Sequence, residues 1–140
     1  MNYLLDTNIC VYIINKKPSA VLSTVLKRVQ SKRLGQIAIS TITLAELEYG
    51  VVRSRYPDRN RTALLVFLVP LAILDFDQAA AAEYGRIRSL LESKKEPIGP
   101  MDLLLAAQAK SHDLVLVTNN EKEFRRVEGL RVENWARMSA

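Results

Sequence analysis

Asp6, Glu46, Asp102 and Glu123 are far apart in this chain, yet each sits beside a junction between an apolar run and a helix or turn. Asp6-Thr7-Asn8 closes the run Tyr3-Leu4-Leu5, and Asn120 and Glu123 follow Leu114–Val117. Glu46 lies in the helix that opens after Ile37-Ala38-Ile39-Ser40, and Asp102 lies two residues after Pro100. In an open α/β sheet, ligands bind in the crevice beyond the carboxyl ends of the strands. Each acid also has a local reading. Asp6 suits a turn or a helix cap. Thr43-x-x-Glu46 is a capping box. Asp102 in a first helical turn is favoured by the helix macrodipole. Asn120 and Glu123 suit a polar turn.

Taken together, the four positions imply metal chemistry. Two carboxylates ~4 Å apart repel by ~1 to 4 kcal/mol, depending on the effective dielectric. A hard divalent cation, Mg²⁺ or Mn²⁺, removes that cost and prefers oxygen ligands. Such an ion lowers the pKa of bound water and stabilises charge on a phosphoryl oxygen. Softer metals are disfavoured, because Cys10 and His112 are the only softer side-chain ligands and lie far apart. Asp6 as the nucleophile of a phosphatase is also disfavoured. That chemistry typically places a second Asp two residues on, where this chain has Asn8.

The elements that must position these residues can be placed coarsely. The first strand is Met1–Leu5. A helix capped by Asn8 runs to Lys16-Lys17-Pro18. Ser19 caps a second helix, with Val21, Leu22, Val25, Leu26 and Val29 at helical spacing. Ile37–Ser40 is the second strand, and Thr43 opens a helix towards Arg53. Arg53–Arg61 is a basic break. Thr62–Val69 is helical, Leu71–Leu74 is the third strand, and Asp77 caps a long helix ending near Lys94-Lys95. Pro100 begins a helix to about Ser111, since its missing N–H is not needed there. Leu114–Val117 is the fourth strand and Leu130–Val132 a short fifth. Strands separated by helices predict an α/β fold: a central parallel sheet of four to five strands with helices on both faces.

The chain has 140 residues, one domain's worth, with 49% apolar and 25% charged residues. No apolar stretch reaches the ~18 residues of a membrane span, which predicts no membrane association. A single cysteine, Cys10, excludes an internal disulfide and fits the cytoplasm. The net charge of +5 favours polyanionic partners. Arg53, Arg55, Arg59 and Arg61 cluster around the break and serve either as a solvated face or as a rim for RNA. His112 reads as a helix C-cap and Trp135 as the anchor of the C-terminal segment, with Arg137–Ala140 loose.

Four segments in this order resemble the PIN-domain ribonucleases, and more narrowly the VapC toxins. They are Leu4-Leu-Asp6-Thr-Asn8, Thr43-Leu-Ala-Glu46-Leu-x-Tyr-Gly50, Pro97-Ile-Gly-Pro-Met-Asp102 and Leu116-Val-Thr-Asn-Asn120-Glu-Lys-Glu123-Phe. The resemblance spans nearly the whole chain, as a single PIN-like domain over residues 1–140. It implies Mg²⁺-dependent endonucleolytic cleavage of RNA, often transfer RNA, with Mn²⁺ as a substitute ion. The family's acids carry onto Asp6, Glu46 and Asp102. The fourth position falls on Glu123 as an outer acid or on Asn120 as a neutral ligand. Arg53, Arg55 and Arg59 are the candidate substrate-binding cations. The implied partners are a VapB-type antitoxin, operator DNA reached only through it, and a second toxin copy in a homodimer within a larger complex. A domain of this kind that binds RNA or a partner without cutting is the alternative. No residue stands out in the sequence as reading a base.

Overall fold

A computed structural model describes residues 2–15, 19–33 and 35–137. The described chain runs β1 (Tyr3–Leu5), α1 (Thr7–Asn15), α2 (Ala20–Gln30), β2 (Ile37–Ser40), α3 (Thr41–Arg53) and α4 (Pro57–Leu68). It continues through β3 (Ala72–Leu74), α5 (Gln78–Ser93), α6 (Pro100–Ser111), β4 (Val115–Val117), α7 (Glu121–Phe124) and β5 (Val132–Glu133). All five strands are parallel, in the order β3-β2-β1-β4-β5. The expected α/β architecture is therefore present, with five strands.

Period-two alternation divides the core into two layers, because successive strand side chains point to opposite faces. Leu4, Ala38 and Leu116 face one layer with Ile87 and Leu91 of α5, Leu103 and Leu105 of α6, and Phe124. Leu5, Ile37, Ile39 and Val117 face the other, with Ile9, Val25, Leu47, Leu64 and Trp135. The helices thus cover both faces, as short β-branched runs flanked by amphipathic helices require. Trp135 is fully buried, and its ring centroid lies 5.2 Å from that of Tyr3. It anchors the C-terminal segment as expected; of Arg137–Ala140, read as loose, Arg137 instead pairs with Glu121, and Met138–Ala140 lie outside the described residues.

The strand order creates the site. The chain leaves β1 towards β2 on one side, whereas β4 pairs on the other side and continues to β5. The carboxyl ends of β1 and β4 are therefore adjacent at a topological switch point, where a crevice forms.

Several boundaries differ from expectation. Asn8 does not cap the first helix, which begins at Thr7, and the expected stop at Lys16-Lys17-Pro18 lies outside the described residues. The helix after β2 begins at Thr41, with the Ser40 hydroxyl accepting from the Ile42 N–H at 3.0 Å. Thr43 consequently stands inside the helix, and the capping box is not formed. The basic break shrinks to Ser54–Tyr56, because Pro57 starts α4 and puts Arg59 and Arg61 on that helix. The last strand is shifted to Val132–Glu133, and the four-residue α7 was not foreseen. Ser19, Asp77 and Pro100 perform the roles assigned to them.

Candidate active site

Asp6 is the buried centre of the site, only 3% exposed. Its N–H donates to the Val117 carbonyl at 2.9 Å and its carbonyl accepts from the Cys10 N–H at 3.2 Å, so the same residue ends β1 and starts α1. The Thr118 hydroxyl donates to Asp6 Oδ2 at 2.6 Å across the β1–β4 junction, and the Thr7 and Asn8 N–H groups also serve the carboxylate. Burial nonetheless dominates and raises the Asp6 pKa above the ordinary carboxylate value. The helix start thus holds an anion that the buried crevice disfavours.

Glu46 comes from the second turn of α3. The Thr7 hydroxyl lies 2.9 Å from Glu46 Oε1 and 3.2 Å from the hydroxyl of buried Thr43. An ionised glutamate only accepts, so the single Thr7 proton goes to Glu46 and Thr43 supplies the neighbouring hydroxyl. Starting the helix at Thr41 rather than Thr43 turns this pair towards α1 instead of the helix's own end.

Asp102 is delivered by the first turn of α6. Gly99 at the helix start has no side chain, and a Cβ there would lie 3.6 Å from Asp102 Oδ2. The carboxyl therefore folds back over the start of its helix towards the crevice. Its pKa is pushed up to about 7, first by burial, then by the Asp6 charge, by a side-chain hydrogen bond with Glu123, and by the charges of Glu123 and Glu46. The other three acids consequently all act on this one carboxyl.

The turn after β4 decides between Asn120 and Glu123. The Asn120 N–H donates to Thr118 Oγ1 at 2.9 Å, which ties it to the same hydroxyl that holds Asp6. Asn120 then precedes α7 without a side-chain capping bond, and one turn of helix carries Glu123 to Asp102. Glu121 points elsewhere, pairing with Arg125, Arg137 and Asn134. Glu123 is thus the acid that meets Asp102, while Asn120 shapes the turn. Thr7 and Thr118 suit, from the sequence, the orienting of carboxylates or water, with simple turn chemistry the alternative for Thr118, and both bond acids here; buried Thr43 is easily passed over, because threonine in a helix has ordinary explanations.

Among the described residues, no three His, Cys, Asp or Glu side chains are gathered tightly enough to cage an ion. Each acid instead has its own hydrogen-bond partner: Thr118 for Asp6, Thr7 for Glu46 and Glu123 for Asp102. The donor set is entirely oxygen, which fits a hard divalent ion with water completing its shell. Cys10 is buried with its thiol pushed far up, chiefly by desolvation, and His112 lies 2.8 Å from Asp77, outside the site.

The candidate substrate cations are not brought against these acids. The Arg53 guanidinium donates to the Tyr49 hydroxyl at 3.2 Å, and Arg55 lies 5.5 Å from the ring centre of Tyr56. Arg59 is exposed in the first turn of α4, and Arg61 pairs with Glu48 at 2.7 Å. A groove of about 400 Å³ between α1, α3 and α4 runs from Thr7 and Glu46 to Ser54 and Asn60, beside this basic link. Leu47 and Val51 are nearly buried and form both its floor and the core beneath.

A doubly wound α/β domain with an acidic site at its switch point defines a class of protein, and similarity to known proteins places the chain within it. A model of the PIN domain matches residues 3–130. The chain belongs to the PIN-domain family, and within it to the VapC ribonucleases. It is 40% identical over 136 residues to the tRNA(fMet)-specific endonuclease VapC of Shigella flexneri, covering 97% of this chain and 99% of that protein. It is 45% identical over 135 residues to ribonuclease VapC2 of Rickettsia felis, covering 96% and 98%. Two similar solved structures are VapBC2 from Rickettsia felis bound to a promoter DNA fragment and DNA-bound VapBC from Salmonella typhimurium. The first has a TM-score of 0.85 at 45% identity, covering 96% of this chain and 99% of that chain. The second has a TM-score of 0.88 at 40% identity, covering 96% and 98%.

Proposed function

We propose that this protein is the toxin of a type II toxin–antitoxin pair and cleaves RNA internally by metal-assisted hydrolysis. The carrying observation is the convergence of Asp6, Glu46 and Glu123 on Asp102 at the carboxyl edge of the sheet. Asp6, Glu46 and Asp102 would hold Mg²⁺, with Glu123 as an outer acid; Mn²⁺ is a substitute of the same hard, oxygen-seeking kind. When bound, the ion supplies water of lowered pKa and charge opposite the phosphoryl oxygens. Thr118 holds the Asp6 carboxylate in place, and the Thr43–Thr7 pair does the same for Glu46.

Transfer RNA is the substrate class that the named activity of the Shigella relative supports. A VapB-type antitoxin is the partner, supported by the VapBC composition of the similar structures. Promoter DNA is then reached through the antitoxin. The exposed apolar residues Tyr49 and Val52 on α3, Leu65 and Val66 on α4, and Val69 just after it suit a protein partner. A second toxin copy and a cytoplasmic setting complete this proposal.

The test is cleavage of purified transfer RNA in Mg²⁺ by the wild type, Asp6→Ala and Asp102→Ala. Cleavage by the wild type alone, abolished by EDTA, is expected. Cleavage that survives both substitutions, or that proceeds in EDTA, would falsify the assignment.

A further inference from the structure

Glu121 and Glu123 both belong to α7. Two residues apart on a helix of about 3.6 residues per turn, they stand on nearly opposite sides of it. Glu123 meets Asp102. Glu121 instead lines a groove of about 570 Å³, floored by β5 and walled by α2. The groove adjoins the acids along the carboxyl edge of the sheet. Its floor residue Glu133 is the register partner of Val117, and the Glu133 carbonyl accepts from the N–H of Thr118, whose hydroxyl bonds Asp6.

Glu121 holds two arginines at once. The Arg125 guanidinium donates to Glu121 Oε1 at 2.8 Å and that of Arg137 to Oε2, while the Asn134 side-chain N–H₂ donates to Oε2 at 3.0 Å. The carboxylate lies beneath its partners: its side chain is 11% exposed, whereas those of Arg125 and Arg137 are 62% and 67% exposed. Each guanidinium uses Nη2 for the carboxylate, so other N–H donors of its fork remain on the solvent side. Exposed Lys27 and Arg28 bring two further cations from the α2 wall, with Arg28 3.7 Å from Glu133. Stability is a weak reason for this pairing. Exposed ion pairs contribute little, and buried Trp135 already fastens the C-terminal segment two residues before Arg137.

Two guanidiniums fixed on one carboxylate suit the oxygens of a phosphodiester, which arginine recognises through paired N–H groups. A strand lying over the metal site needs such cations nearby, because the acids repel its phosphates. Arg53, Arg55 and Arg59, expected in that role, are not brought against the acids. An α-helix with its side chains is ~10–12 Å across, so one strand crossing α7 reaches both the acids and the arginines. That continuity with the site favours RNA over an acidic protein segment as the occupant.

We propose, on the basis of the ribonuclease reading, that Arg125 and Arg137, held by Glu121, bind a backbone phosphate of the RNA a few nucleotides from the cut, with Lys27 and Arg28 lining its further path. Contact with the backbone supplies affinity and register without choosing a base.

The test uses the full-length protein in EDTA, so that binding is read without cleavage. Fluorescence anisotropy of two labelled single-stranded oligoribonucleotides of different sequence is measured over a range of KCl for wild type, Arg125→Gln, Arg137→Gln and Arg86→Gln, with Tm recorded for each. Arg86→Gln removes the same charge and an exposed ion pair, with Glu83, on α5 outside the groove. Arg125→Gln and Arg137→Gln should each weaken both RNAs equally, at least about fivefold, and lower the salt slope by ~0.7, the share of one single-strand phosphate contact. Arg86→Gln should bind like the wild type. Unchanged affinity and slope in both groove variants overturn the proposal. So does an equal loss in Arg86→Gln, which would make net charge the cause, or a loss confined to one sequence, which would assign the arginines to a base. Lost inhibition by the antitoxin with RNA affinity intact would also overturn it, assigning the pair to the partner protein. Cleavage of the same RNAs in Mg²⁺ is followed alongside. Its absence in the wild type defeats the ribonuclease proposal and this one with it, whereas intact cleavage with unchanged binding in the variants defeats this one alone.

Discussion

Asp102→Asn should stabilise the metal-free protein at alkaline pH. The substitution keeps the shape of the side chain and removes its charge, and the new amide can still donate to Glu123. Asp102 is pushed up from an ordinary 3.8 to about 7 by burial and by the surrounding carboxylates. Because its folded pKa is raised, the native state holds a proton that the unfolded chain releases. Wild-type stability therefore falls as pH rises from about 4 to about 7, and the deficit is complete above that. Asp102 is only partly buried, so screening reduces the deficit to roughly 1–2 kcal/mol. Against this, the substitution loses the attraction of a carboxylate for its helix N-terminus, ~0.3–1 kcal/mol. The net gain is about 1 kcal/mol, or an increase in Tm of roughly 3–4 °C for a domain of this size. Thermal unfolding in EDTA, followed by circular dichroism at pH 5 and pH 8, measures it. The gain should be largest at pH 8 and shrink as pH is lowered. Added Mg²⁺ should raise the Tm of the wild type and leave the variant nearly unmoved. A lower Tm for Asp102→Asn at pH 8 would refute the reasoning, showing that the helix-end attraction outweighs repulsion among the acids.

Two further outcomes follow from buried contacts. Thr118→Val removes the 2.6 Å hydrogen bond to Asp6 and leaves a buried carboxylate less well satisfied. It should cost ~1–3 kcal/mol in urea unfolding, more at pH 8 than at pH 5, because the lost bond stabilises the ionised form; an equal loss at both values would contradict this. Trp135→Ala empties a fully buried site against Tyr3, and a loss of ~3–5 kcal/mol is expected by the same measurement. A change below 1 kcal/mol there would mean that the C-terminal segment is not anchored through the ring.

Much of the molecule was legible because local chemistry and tertiary role agree. Ser19, Asp77 and Pro100 are helix-start residues by their own side-chain or ring geometry, and the structure uses them that way. Asp6 after an apolar run points to the carboxyl edge of a sheet wherever that strand is placed. The errors lie where two local readings compete. Thr43-x-x-Glu46 has the spacing of a capping box, but Ser40 stands earlier and takes the cap, so the same pair turns inward. The fifth strand has two residues and α7 four, too few for any period to register.

By itself, the sequence determined the parallel α/β class and placed Asp6 at a strand end and Asp102 in the first turn of a helix, because these depend on residue type and local spacing. Only the tertiary structure decided the order β3-β2-β1-β4-β5, and hence that Thr118 reaches Asp6, that Glu123 rather than Asn120 meets Asp102, and that Asn119 faces Tyr12. Each of those is a meeting between side chains more than twenty residues apart in the chain or across a turn. Which strands become neighbours is set by how two faces of one sheet are buried together, and local spacing carries no record of it.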